Sequence, residues 1–598
     1  VSHLTQLTPV AQAVQQQLNP ILNDFRNFVF VLWKHLRLKE PTGIQYDIAS
    51  FLQHGPRRRI IQAFRGIGKS WITAAFVLWR LCRNPNERIL VVSANEDRAT
   101  QFTTFCRRLI EEAPFLRHLA PKKGTRDSAL AFDVSGSMAH QSPSLRAAGI
   151  TGQITGGRAS LIVPDDVEVP KNSLTQTMRD RLSEAVKEFD AIMMSEDDLA
   201  QLGLGAGEVV FLGTPQTEAT IYRALEQRGY VTRIWPARYP DEKMQVLYGD
   251  RLAPSLVEHL KADSTLAYKH GIEGAKRGAS TEPRRFPDLD LVERELSYGR
   301  SGFALQFMLN PSLADMDRYP LKMADMMVLD CDPKLAPIQC VWANSPELVR
   351  SDLPQVGMTG DRLHRPMFIA KDHYLPYTGV VMSIDPAGRG SDELAYAIVA
   401  MLNGYLFVLR VKGLTGGYTD ENLELLAHEA KRFGVNDIVV ESNFGDGMFT
   451  KLLLPFLTRI HPCHVEEVNS SKQKELRIID TLEPVLNQHR LVIDSKLVKD
   501  DHENYNHYSD ELAPRYQLLY QLTRITKDKG SLAKDDRLDA LAMAVKYWVE
   551  VMDKDVTRVQ EEHREALRMA EIERFIEASG QGGNSCGIVD SFLGGVAA

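Results

Sequence analysis

The sequence predicts an α/β protein built on two sheets, a parallel one in the N-terminal half and a mixed one in the C-terminal half. Three observations carry this. Apolar runs that end in turn residues and lead into amphipathic stretches recur between residues 59 and 215, the signature of a parallel sheet with helices on its faces. From Gly379 three apolar runs follow each other too closely for crossover helices, as in an antiparallel meander. Between these regions, residues 220–375 carry many Pro, Gly and charged residues with weak periodicity.

Taken in order, residues 1–40 read as a helical segment ending in the apolar-rich run Phe28–Leu38. Strand Arg59–Ala63 leads through a Gly-rich loop into helix Ser70–Leu81, and strand Arg88–Ser93 leads into helix Asp97–Glu112. Strand Ser160–Val163 ends in acids, and strand Glu208–Leu212 ends in Gly213-Thr214-Pro215. The second half offers strands Val380–Ile384, Ala395–Met401 and Tyr405–Val411, helix Asn422–Phe433, strand Asp437–Glu441 and a last helix from Asp536 to about Val551. That order resembles ribonuclease H. The predicted domains are 1–40 (helical segment), 41–330 (parallel-sheet domain with its lid and linker), 331–375 (connection), 376–552 (mixed-sheet domain) and 553–598 (charged helix and flexible tail).

The 598 residues are 44% hydrophobic and 25% charged, an ordinary globular composition. No apolar run reaches the roughly 18 residues that span a bilayer, and the N-terminus lacks the basic-then-apolar pattern of a signal peptide. The six cysteines show no metal-ligand spacing. A net charge of −7 argues against a histone-like basic coat but leaves room for a local basic track along DNA. Arg57–Arg59 is one basic cluster, read as a solvated face.

The loop Ala63-Phe64-Arg65-Gly66-Ile67-Gly68-Lys69-Ser70 lies between a strand and a helix. There, backbone N–H groups and a helix N-terminus close around phosphate. Lys69 would meet the β- and γ-phosphates of ATP, and Ser70 a magnesium ion. Downstream, Pro164-Asp165-Asp166-Val167-Glu168 ends an apolar strand. This delivers Asp165 to the metal and leaves Asp166 or Glu168 as the base acting on water; a surface acidic turn is the competing reading. Gln45 is a candidate for the adenine edge, against an ordinary polar helix start. Gly213 and Thr214 are candidates for sensing the γ-phosphate. Arg158 or Arg146 would serve as an arginine finger on a neighbour's ATP, against a surface or DNA-facing role.

In the second half, Asp385 and Glu441 each end an apolar strand, and Asp535, Asp536 and Asp539 open a helix. Carboxylates so placed can hold two magnesium or manganese ions for cutting nucleic acid. Asp536 and Asp539, three apart, share a helix face; an acidic helix cap is the competing reading of Asp535 or Asp536.

Together these residues resemble the large terminase subunit of tailed bacteriophages, closest to the short-tailed-phage (DNA maturase B) type. The resemblance rests on Gln45, the loop Phe64–Ser70, Pro164–Glu168, Gly213–Gln216, Asp385, Glu441 and the run from Asp535, and it covers about residues 40–550. It implies a RecA/ASCE-like P-loop ATPase that translocates double-stranded DNA, followed by an RNase H-like nuclease that cuts concatemers. It also implies a ring, usually pentameric, on the portal protein of a procapsid in the host cytoplasm, with a small terminase subunit as partner and no membrane. The chain departs from the common pattern at Ala63, where the loop's first Gly is expected, and in Asp-Asp where Asp-Glu is expected. The rivals are a helicase-like translocase, which needs a second strand-helix lobe that residues 220–375 do not show, and a non-enzymatic capsid scaffold with structural acids.

Overall fold

The computed structural model describes residues 22–554 and 569, apart from 153, 269–276, 371–372, 387–391, 443–446, 470–472, 504–507 and 510–511 and the side chains of 316 and 317. The first 21 residues of the expected N-terminal segment lie outside the described residues, as does the expected charged tail beyond 554 except Met569. The chain divides into two compact units. One is Val1–Pro320 with Met358–Gly360 and Arg524–Ala533; the other is Leu321–Gly357 with Asp361–Thr523 and Lys534–Ala598.

The strands of the first unit are β1 (Arg58–Ala63), β2 (Ile89–Ser93), β3 (Ala131–Phe132), β4 (Leu145–Gly149), β5 (Leu161–Asp165), β6 (Glu208–Gly213) and β7 (Val231–Trp235). They form one sheet in the order β3-β4-β2-β5-β6-β1-β7. Every pairing is parallel except β3 with β4. Helices cover both faces, so the central strands β2 and β5 are buried along their whole length and read as continuous apolar runs rather than alternating ones. Strand order decides the site: β6 lies between β1 and β5, so the phosphate loop, the acids after β5 and Gly213 all emerge at the carboxyl edge of neighbouring strands. The helix Phe25–His35 starts at the cap Asp24 and packs Phe25 against Phe76 and Trp79 at ring distances of 5.4 and 5.1 Å. Arg59 corrects the solvated-face reading of its cluster: it is 1% exposed and bonded to Glu208 at 2.8 Å.

The second unit holds β8 (Met327–Leu329), two short pairs, and the expected meander. The pairs are β9 (Leu335–Pro337) with β12 (Tyr374–Pro376), and β10 (Cys340–Val341) with β11 (Phe368–Ile369). Next come β13 (Gly379–Asp385), β14 (Leu394–Leu402) and β15 (Tyr405–Leu414), then β16 (Asp437–Glu441), β17 (His464–Val468) and β18 (Leu491–Asp494). The mixed sheet runs β17-β16-β13-β14-β15-β18-β8. β13, β14 and β15 are antiparallel, and β16 joins β13 in parallel with Ile384 opposite Val440. Asp385 and Glu441, one residue further on each strand, therefore end side by side.

The predicted boundaries at 330 and 375 need correction. β8 belongs to the second sheet through β18, so that unit begins earlier. Within 376–552, Arg524–Ala533 belongs to the first unit, where the Ser531 carbonyl accepts from the N–H of Gln176 at 2.8 Å. Three-residue strands and short returns carry too little periodicity to be read from sequence.

Candidate active sites

The first unit builds its site on a loop that must fold back on itself. Gly66 (φ 93°) and Gly68 (φ 95°) take the left-handed conformation that a side chain opposes, and helix Lys69–Arg83 starts directly after Gly68. Ser70, in the first turn of that helix, is exposed. Arg65 is exposed too; its backbone N–H donates to the Gln306 carbonyl at 2.9 Å, and its guanidinium lies 5.8 Å from the ring of Tyr298. Ile67 is buried and anchors the loop. Lys69 Nζ donates to the Ala63 carbonyl at 2.6 Å and to Thr214 Oγ1 at 3.4 Å.

Gln45 departs from the adenine expectation. It is fully buried in a capping box with Thr42, accepting from the Thr42 N–H at 2.9 Å and donating to the Ile67 carbonyl at 2.6 Å. Its amide thus ties the helix Gly43–His54 to the underside of the phosphate loop.

Asp165 is buried, and its Oδ1 has no hydrogen-bond partner among the described residues. Burial, reinforced by the charge of Asp166, pushes its carboxyl up to about 7, against the pull of Lys69 and Arg98. Asp166 turns the chain in a left-handed conformation (φ 46°) with its N–H on the Leu212 carbonyl at 2.8 Å, and stays half-buried. Glu168 has a different position from that of a base. It is 1% exposed and accepts from the Gln216 N–H at 2.7 Å, Thr220 Oγ1 at 2.7 Å and the Ile221 N–H at 2.8 Å. Both its oxygens are engaged in strapping the acidic strand to the segment after β6. Gly213 is required by packing: a Cβ there would lie 1.8 Å from the Tyr222 hydroxyl oxygen.

Arg158 and Arg146 are not brought to this loop. Arg158 precedes β5 and its guanidinium donates to the Ala191 carbonyl; Arg146 is near the start of β4. Both lie at the amino edge of the sheet, opposite the phosphate loop.

In the second unit Asp385, Glu441 and Asp539 place carboxylate oxygens all within 4.8 Å of one another, a hard-oxygen donor set that suits magnesium or manganese. Asp539, not Asp536, completes the trio. Asp536 turns to the Glu393 N–H at 3.3 Å, and burial pushes its carboxyl up to about 6. The helix from 536 presents Asp535 and Asp539, four apart, to one cation: Lys474 Nζ lies 2.9 Å from Asp535, 3.1 Å from Asp539 and 3.6 Å from Asp385. Arg477 reaches Glu441 at 3.3 Å and both oxygens of Asp539 at 2.8 Å. Burial pushes the Asp385 carboxyl well above the usual range; Lys474 opposes this, while Asp539 and Glu441 add to it. Burial works against the Lys474 ammonium, but Asp539, Asp535 and Asp385 outweigh it and hold the proton. Beneath the trio, Arg537 is buried between Glu393 at 2.8 Å and Asp501 at 3.2 Å, fixing the helix start. Lys474 and Arg477 were missed in the sequence; their three-residue spacing on a helix was the available signal.

Two family models match the chain. One is the N-terminal domain of the terminase large subunit, T4likevirus type, over residues 60–187; the other is the ribonuclease H-like domain of the bacteriophage T7 terminase over residues 384–491. The large terminase subunit of Enterobacteria phage T3 is 44% identical over 560 residues, 93% of this chain and 92% of that protein. This chain belongs to the terminase large subunit family. Among solved structures, the HK97 bacteriophage large terminase is 12% identical with a TM-score of 0.37, over 85% of this chain and 95% of that one. The human cytomegalovirus terminase nuclease domain is 14% identical with a TM-score of 0.22, over 28% of this chain and 84% of that one. Both are too distant to extend to any residue. This terminase subunit is an ATP-driven enzyme with a parallel-sheet ATPase-like domain and an RNase H-like domain carrying a two-metal nuclease-like site, as DNA packaging and cutting require. Among the described residues no helix is long and apolar enough to cross a membrane.

Proposed function

We propose that the first unit hydrolyses ATP with Lys69 on the β- and γ-phosphates, Ser70 and Asp165 as magnesium ligands, and Asp166 orienting and deprotonating the attacking water. The observation that carries this is the bare, buried Oδ1 of Asp165 at the carboxyl edge of the sheet; an unpartnered buried carboxylate is unfavourable until a cation meets it. Lys69 would leave the Ala63 carbonyl for phosphate, and Gly66 to Gly68 would offer backbone N–H groups. Glu168 would hold Gln216 and Thr220, so that a change felt at Gly213 and Thr214 passes to the next helix.

In the second unit Asp385, Glu441 and Asp539 would hold the metal pair, with Asp535 and Asp536 flanking them. Magnesium in the first site, and two magnesium or manganese ions in the second, would supply the positive charge that activates water and steadies the departing oxygen. Membership of the family supports double-stranded DNA as substrate, the portal protein and a small terminase subunit as partners, and a homo-oligomeric, pentameric ring. It also supports work in the host cytoplasm, docked transiently on the procapsid.

The test is plasmid nicking with Mn²⁺ by the wild type, Asp385→Ala and Glu441→Ala. Cutting is expected to vanish in both variants with ATP turnover kept. No cutting by the wild type with any divalent metal would demote these acids to structure and favour a translocase without a nuclease.

A further inference from the structure

We propose that a cavity at the amino edge of the first unit's sheet is a second binding pocket, separate from the phosphate loop, for a phosphoryl ligand of nucleotide size. Its volume is about 400 Å³, within the roughly 300–1,000 Å³ of small-molecule sites. Arg88, Arg126, Arg146 and Arg158 line it beside the apolar walls Ala131 and Ile192, and among the described residues no aspartate or glutamate does.

Topology gathers these arginines. Arg88 directly precedes β2, Arg146 is the second residue of β4, and Arg158 lies three residues before β5. These strands are parallel neighbours in the order β4-β2-β5, so their starts share one edge, while the phosphate loop leaves the other edge.

Arg88, Arg126 and Arg158 are held in place by neutral oxygen atoms. Arg88 is 1% exposed; it donates to the Met138 carbonyl at 2.7 Å and to Ser144 Oγ at 3.3 Å, and its Nε is buried without a partner among the described residues. Arg126 donates to the Gln141 carbonyl at 3.1 Å, and Arg158 to that of Ala191. Asp133 and Glu87 attract Arg88 from outside the lining, and Arg126 repels it. Elsewhere in this unit Arg59 pairs with Glu208, Arg80 with Glu87 and Glu208, and Arg238 with Asp288, whereas among the described residues no carboxylate lines this cavity. Guanidinium groups anchored on neutral carbonyls keep N–H groups in the planar fork that fits phosphate oxygens, and an anion would relieve their mutual repulsion. The concave shape with apolar walls favours a free nucleotide over the ridged backbone of duplex DNA.

The experiment is equilibrium dialysis of labelled ADP against the full chain carrying Lys69→Ala, at a dilution shown to be monomeric by light scattering. Residual ADP binding is expected, displaced by inorganic phosphate. Adding Arg126→Ala and Arg158→Ala should weaken it roughly tenfold to a hundredfold. The charge-keeping Arg126→Lys, Arg158→Lys pair should weaken it less, and circular dichroism melting checks that each variant folds. Four results would overturn the pocket: no residual binding in Lys69→Ala, residual binding indifferent to phosphate or to the arginine changes, binding that appears only on self-association, or preference for a short DNA duplex over ADP. Self-association dependence would assign the arginines to a neighbouring protomer's nucleotide, and duplex preference would assign them to the DNA path.

Discussion

The two acidic sites differ in what balances their charge. Asp165 is buried with one oxygen bare, and the cation beside it, Lys69, is turned onto the Ala63 carbonyl. Asp385, Glu441 and Asp539 are already met by Lys474 and Arg477. A cation entering the first site supplies charge that is missing. One entering the second competes with charge already present. The first site thus leaves charge for a cation to supply, whereas a metal at the second would have to compete with Lys474 and Arg477.

The largest expected effect breaks the first site alone. Lys69→Ala removes the ammonium proposed to bind phosphate and should lower ATP turnover by at least about 10²–10³-fold, leaving plasmid nicking intact. Normal turnover, measured by phosphate release, would sink the phosphate-loop assignment. Next, Asp166→Asn should lower turnover by about 10²–10⁴-fold with ATP binding retained. Glu168→Gln, whose acid binds backbone N–H groups and a hydroxyl, should instead lower the melting temperature. The reverse pattern would return the base to Glu168.

A smaller effect sharpens the second site. Lys474→Met removes the ammonium shared by Asp535, Asp539 and Asp385. Mn²⁺ affinity, read by calorimetry on the otherwise intact chain, should rise about tenfold, the scale of one charge-assisted hydrogen bond. Unchanged affinity would mean that the ammonium does not stand where metal binds.

The same contrast explains what could be read from the sequence. The strands that end in Asp165, Asp385 and Glu441 are long apolar runs with an acid at the end, and that pattern survives in one dimension. So does Gly66-Ile67-Gly68, because a left-handed loop demands glycine. The choice of Asp539 over Asp536 was not legible, since it depends on where Glu393 offers its N–H. The engagement of Glu168 and Gln45 was not legible either: both are polar residues near a site, and only tertiary contacts show their hydrogen bonds already committed. β3, β4 and β7 escaped because they are short or interrupted by arginine, so neither length nor periodicity marks them.

The smallest effect is a change in slope. An aspartate in an unfolded chain titrates near 3.9, whereas burial and Asp166 push Asp165 up to about 7. Between those values the folded state binds more protons than the unfolded one, so stability falls as pH rises. The contribution is fully present below the unfolded value and is lost as pH passes the folded one. Without nucleotide or metal, the melting temperature of the wild type should therefore drop from pH 5 to pH 8. Asp165→Asn removes this titration, so it should flatten the drop and melt higher than the wild type at pH 8, while ATP turnover is lost. Glu168 and Asp385, also raised by burial, titrate in both chains and cancel in the difference. Parallel pH profiles for the two proteins would show that Asp165 is ionised at no penalty, and hence that a cation within the chain already compensates it.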